Sequence, residues 1–181
     1  MAICSASISA SSIDEGGLGR VVIWRPERRR RGGTEPVSDD SLSIAVVNDV
    51  PAVSRATEQV EAFCRGRGVA DAVARKFTLA LDETLTNAVS YGFPQGGRHS
   101  IAVRIEHRAG YLTATVSDDG APFDPLAQAT PDVHASIAQR QVGGLGIHLL
   151  RTLMETVAYR RHGDRNELTF RIADGKAATT E

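Results

Sequence analysis

The apolar residues of this 181-residue chain change their spacing partway along it, and that change limits the folds open to it. Over residues 51–67 they recur at three- and four-residue steps, as Val53, Ala56, Val60 and Phe63, which predicts a helix with one buried stripe. Pro51 suits the start of that helix, and Gly66 and Gly68 break it. A second helix is predicted over 70–90, with Val73, Phe77, Leu81, Leu85 and Ala88 on its core side and Gly92 and Pro94 ending it. The period then drops to two. Residues 100–107 and 111–117 alternate apolar and polar side chains, and Arg108-Ala109-Gly110 between them reads as a hairpin turn. A strand at 43–47, a helix from 146 to 154 and closing strands at 156–161 and 167–172 complete the series, the last two joined by His162-Gly163-Asp164-Arg165-Asn166.

With 41% hydrophobic and 24% charged residues, a chain of this length has material for one packed domain rather than two. That domain is expected at 42–173, between a flexible N-terminal tail at 1–41 and a flexible C-terminal tail at 174–181. The N-terminal stretch is rich in Ser and Gly, carries four successive arginines from Arg28 to Arg31, and holds one apolar island, Val21-Val22-Ile23-Trp24, too short to fold alone. Lys plus Arg number 21 against 22 Asp plus Glu, so no global field favours direct nucleic-acid binding or an anionic membrane. No apolar run approaches the roughly 20 residues that span a bilayer. Met1-Ala2-Ile3-Cys4-Ser5-Ala6 lacks the basic and apolar regions of a secretory signal. Cys4 and Cys64 have no metal-ligand spacing, and a reduced, cytoplasmic setting is the simpler reading. The five histidines, His99, His107, His134, His148 and His162, are scattered and form no metal motif.

Three polar clusters remain. In Asp82-Glu83-Thr84-Leu85-Thr86-Asn87 the carboxylate of Glu83 and the amide of Asn87 are four residues apart, on one helix face. Such a pair suits a site where a neutral oxygen holds a divalent ion while a base aligns a hydroxyl or water. Thr84, Thr86 and Ser90 stand where an exposed helix prefers Lys or Glu. In Ser117-Asp118-Asp119-Gly120-Ala121-Pro122-Phe123-Asp124 an acidic turn follows a strand, and a carboxylate there accepts a hydrogen bond from an exocyclic amine. Phe123, held among prolines and aspartates, suggests a loop packed onto something. In Gly143-Gly144-Leu145-Gly146-Ile147 glycines precede a helix, where free amides and the positive end of the dipole favour a phosphate. No Lys-Ser or Lys-Thr pair follows, so this is not a Walker loop. The connection from Asp118 to Val142 is long, with Pro122, Pro125 and Pro131, the kind of loop that is usually a functional lid or disordered.

In this order the clusters resemble the N, G1 and G2 boxes of the gyrase, histidine-kinase and mismatch-repair ATPase superfamily, which shares the Bergerat nucleotide fold. The likeness is closer to the anti-sigma-factor serine/threonine kinases. Those tend to carry Asp-x-Gly-x-Pro-Phe-Asp, here residues 118–124, and Gly-Leu-Gly before a short helix, here Gly144-Leu145-Gly146. Pro122 stands where the wider superfamily has a further glycine, which argues against the histidine-kinase branch. The resemblance covers 42–172 and implies an α+β fold, a two-layer sandwich of a mixed, mostly antiparallel sheet with helices on one face. It implies ATP and Mg2+ as cofactors, with Asn87 as metal ligand, Glu83 as general base and Asp118 on the adenine amine. Gly120, Gly144 and Gly146 would shape the pocket, and Thr169 would reach the base through water.

The function so implied is an anti-sigma regulatory protein that sequesters a sigma factor and phosphorylates its anti-sigma antagonist on serine or threonine. Two alternatives stay beside it: a non-catalytic ATP-binding partner-switching module, and an ATPase or detached histidine-kinase catalytic domain. The first helix carries Arg55, Glu58, Arg65 and Arg67 on its outer side. Arg55 is the candidate contact to sigma factor or antagonist, and a homodimer is left open.

Overall fold

A computed structural model describes residues 40–127 and 144–175. The apolar island at 21–24, the arginines at 28–31, Pro131, Gly143, and the chain beyond 175 lie outside the described residues.

The two helical stripes become α1 (Val50–Gly66) and α2 (Asp71–Tyr91). Asp49 caps α1, its carboxylate accepting the amide of Ala52 at 2.7 Å. Strands β1 (Ser41–Val47), β2 (Ser100–Arg108) and β3 (Tyr111–Asp118) precede α3 (Gly144–Leu153), and β4 (Thr156–His162) and β5 (Arg165–Ala173) close the domain. The sheet order is β1-β2-β3-β5-β4. The sheet was expected to be mixed but mostly antiparallel, and all four pairings among the described residues are antiparallel. The crossover through α3 makes β3 and β4 parallel, but β5 lies between them and runs against both.

All three helices lie on one face of the sheet. Ile101, Val103, Ile105, Leu112, Ala114, Val116, Phe170 and Ile172 meet Phe77, Leu81 and Leu85 there, and the rings of Phe77 and Phe170 stand 5.4 Å apart. Each such large apolar side chain taken fully from water is worth about 1.5–3 kcal/mol. The opposite face presents Ser43, Ala45, Arg104, Thr115 and Ser117, the other parity of the same strands.

Asp40 and Asp174, assigned from sequence to the flanking segments, both bond to the domain. Asp40 accepts the amide of His107 and, through its side chain, Arg67 at 2.7 Å. Asp174 is 4% exposed, accepts His107 Nε2 at 2.9 Å, and exchanges backbone bonds with Gly110 and Ala70. No helix among the described residues is long and apolar enough to cross a membrane.

Candidate nucleotide site

Between α2 and the ends of β3 and β5 opens a cleft with about 650 Å³ of non-protein space, part of it continuous with solvent. Thr84, Asn87, Ala88 and Tyr91 of α2 form one wall, Val116, Asp118, Asn166 and Leu168 the floor, and Gly146, Ile147 and Leu150 of α3 the far side. Phe123 and Pro125 stand at its rim, Phe123 being 40% exposed, so the loop after Asp118 packs over the cleft rather than into the core.

The helical period of α2 places Glu83 and Asn87 one turn apart on the face toward α3. They converge on Gly146: a Cβ at that glycine would lie 2.5 Å from Glu83 Oε2 and 3.3 Å from Asn87 Nδ2. Only glycine lets α3 come this near. Gly144 is the first residue of α3, so the first turn of that helix, with its free amides, adjoins the pair. Glu83 itself is not among the residues lining the cleft. Thr84, read as out of place on an exposed face, lines the cleft and donates to Ala80 O at 2.8 Å.

Asp118 ends β3 at 8% exposure. Its Oδ1 accepts Gly120 N at 2.8 Å and Asn166 Nδ2 at 2.8 Å, while Oδ2 meets no protein donor among the described residues. Gly120 is pressed against the end of α2, where a Cβ would stand 2.5 Å from Gly92 O, and Ala121 N donates to the same carbonyl at 2.7 Å. From Glu83 to Gly92 is nine residues, about 13 Å along the helix axis. The acidic turn and the carboxylate–amide pair thus occupy different parts of one elongated site. Beside the turn, Asp119 meets His99 Nδ1 at 3.3 Å, and His99 stacks on Phe93.

Thr169 is not at this site. It belongs to the parity of β5 that faces away from the helices, and its hydroxyl stands 3.4 Å from that of Thr115 on the open face. Asn166 and Leu168 carry the parity that lines the cleft. Asn166, read from sequence as part of a turn, is the residue that reaches Asp118. The available signal was its two-residue spacing from Leu168 and Phe170, both on the core parity.

An apolar cleft with an acceptor at one part, and Asn87 with Glu83 beside a helix start at another, has the features that suit a nucleotide. The chain matches the histidine kinase-like ATPase domain over residues 46–172, and it belongs to that family. It is 33% identical over 97 residues to the serine/threonine-protein kinase BtrW of Bordetella bronchiseptica, which covers 52% of this chain and 68% of that protein. It is 30% identical over 90 residues to the serine-protein kinase RsbW of Bacillus subtilis, covering 46% of this chain and 55% of that one. The chain thus spans little more than half the length of this second relative. The fold is similar to the crystal structure of the RsbU and RsbW domains of Rv1364c from Mycobacterium tuberculosis, with TM-score 0.52 at 16% identity over 72% of this chain and 31% of that one.

Proposed function

We propose that this chain is an ATP-binding anti-sigma regulatory protein with serine/threonine kinase activity, which holds a sigma factor inactive and phosphorylates that factor's antagonist. Support comes from the kinases it is similar to, BtrW and RsbW, and from one observation: the cleft separates a free acceptor oxygen at Asp118 from the Glu83–Asn87 pair at the start of α3. ATP has the matching parts, an exocyclic amine and a triphosphate. The phosphates run toward α3, where the open amides of its first turn favour anions.

The residues fit a shared Mg2+. Among the described residues no group of three or more His, Cys, Asp or Glu forms a metal cage. Asn87 offers one neutral oxygen, and Mg2+ characteristically takes few protein ligands and completes its shell with water and phosphate oxygens. When bound, the ion neutralises charge on the β- and γ-phosphates. Glu83 accepts the proton of a serine or threonine hydroxyl as that oxygen attacks the γ-phosphorus and the bond to the bridging oxygen breaks, releasing ADP.

Incubation of the protein with γ-labelled ATP, Mg2+ and candidate small antagonist domains is the test. Label on a serine or threonine of one antagonist is the expected outcome, and absence of any ATP binding at millimolar nucleotide overturns the reading. One observation favours a second reading, a partner-switching module that binds ATP without transferring phosphate: Glu83 does not line the cleft. ATP binding with no label on any antagonist selects it.

A further inference from the structure

The geometry points to Asn166, backed by Tyr159 and Arg161, as the positioning residue that sets base preference in the cleft, by holding Asp118 with one carboxylate oxygen turned to the purine. This deepens the reading of the cleft as a nucleotide site and rests on it.

Asp118, Asn166 and Arg161 face one another directly across three strands, Asp118 opposite Asn166 in the β3–β5 register and Asn166 opposite Arg161 in the β5–β4 register. Asn166 is 7% exposed, and its amide is engaged at both ends. Oδ1 accepts Tyr159 Oη at 2.8 Å and Arg161 Nη1 at 2.7 Å; Nδ2 donates to Asp118 Oδ1 at 2.8 Å and to Ala121 O at 3.0 Å. The two ends of an amide have nearly the same shape, so its orientation is set by its partners. A guanidinium only donates, so the end facing Arg161 is the oxygen, and the end facing Asp118 is the NH2. Arg161 also donates to Gly120 O at 3.2 Å and to Asp164 O at 3.1 Å, which ties the β4–β5 turn to the turn after Asp118.

The consequence falls on Asp118. With Oδ1 occupied by Gly120 N and Asn166 Nδ2, its plane is fixed and Oδ2 alone is offered to a ligand. A carboxylate oxygen only accepts. It complements the N6 amine of adenine and opposes the O6 carbonyl of guanine, where lone pair meets lone pair. Sites built around such a buried group reject the mismatched partner strongly, because one side is left unpaired.

Two substitutions test the row, with the affinities of the full chain for Mg-ATP and Mg-GTP measured side by side. Asn166→Asp is nearly isosteric but sets a second carboxylate against Asp118. Two carboxyls so close favour protonation of one, and an Asp118 carrying its proton on Oδ2 offers a donor to O6. The ATP-to-GTP affinity ratio is expected to fall at least tenfold, and further at pH 6 than at pH 8. Arg161→Met changes an exposed residue, removes one of the two donors to the amide oxygen and the bond to Gly120 O, and so loosens the hold of Asn166 on Asp118; a fall of threefold or more in the same ratio is expected. If Asn166→Asp does not fold, Arg161→Met decides alone. A merely structural role lowers both affinities together and leaves the ratio unchanged. That result, with the parent chain still preferring ATP, overturns the assignment of Asn166 while leaving the nucleotide reading intact. A parent chain that binds neither nucleotide overturns both.

Discussion

Asn87 and Glu83 stand one turn apart against the same glycine, yet the proposed chemistry asks different things of them. A metal ligand acts in the ground state, whereas a base acts only as the proton leaves. Asn87→Ala is therefore expected to abolish Mg2+-dependent nucleotide binding. Glu83→Gln should bind ATP with nearly unchanged affinity and lose transfer by a factor of about 10²–10⁴. Titration calorimetry and single-turnover label transfer on the two variants check this, and identical behaviour in both assays overturns the division of roles. Away from the cleft, Cys64 is fully buried in α1, and burial, with Glu61 nearby, pushes its thiol up from 9.0 to about 11. Below pH 9 the thiol is protonated folded and unfolded alike, and its contribution is fully present. Between pH 9 and 11 the unfolded chain loses its proton first, so this group's contribution declines by up to about 1.4 kcal/mol per pH unit. Cys64→Ala should flatten that part of a pH series of urea midpoints, and Cys64 itself should react slowly with thiol reagents at pH 8.

At the scale of elements, α1 depends on its first turn. Asp49 accepts the amide of Ala52 and also stands 3.9 Å from Arg55. Asp49→Ala is expected to cost about 1 kcal/mol, read as a lowered urea midpoint with unchanged slope. This helix and α2 were legible because burial on one side writes a 3.6-residue period into the sequence: Val53, Ala56, Val60, Phe77, Leu81 and Leu85 are all core. The pair Glu83 and Asn87 was legible for the same reason, and Asp118 because a polar turn after an alternating strand marks a strand end. The closing strand was harder. Its core parity runs Asn166, Leu168, Phe170, Ile172, and the strand begins at Arg165, two residues before the expected start. Starting at 167 leaves Asn166 in the turn. It also hides that Thr169, one residue out of phase with Leu168, faces the opposite side of the sheet. Parity follows from register, and register is fixed by long-range pairing with β3, which local sequence does not contain. A mostly antiparallel sheet was expected; only the lack of any parallel pairing among the described strands was hidden, since it depends on β5 entering between β3 and β4.

For the whole molecule, three helices cover one sheet face and leave α1 with an exposed outer side. Arg65 is exposed there, and Arg55 has a side chain 64% exposed. Arg67, grouped with them in the sequence, instead lies over the Phe63 ring at 5.3 Å and holds Asp40. That leaves Arg55 as the better candidate for a partner's carboxylates. Arg55→Glu is expected to leave ATP affinity unchanged and to weaken binding of a sigma factor or antagonist by about 1–3 kcal/mol. A urea midpoint on the variant separates this from any loss at the helix cap, and undiminished partner binding moves the surface elsewhere. The two edges of the domain have a further meaning. Asp40 and Asp174 both bond to His107, at the hairpin end of the sheet, about 23 Å along β3 from Asp118. Strands β2 and β3 separate them, a gap of roughly 14 Å at three strand spacings. The fold is thus nearly a ring, with its opening turned away from the cleft. Residue 175 joined back to residue 40 through about eight glycines and serines should give a closed backbone that loses disorder chiefly in the unfolded state. Its urea midpoint should rise while its ATP affinity stays that of the open chain.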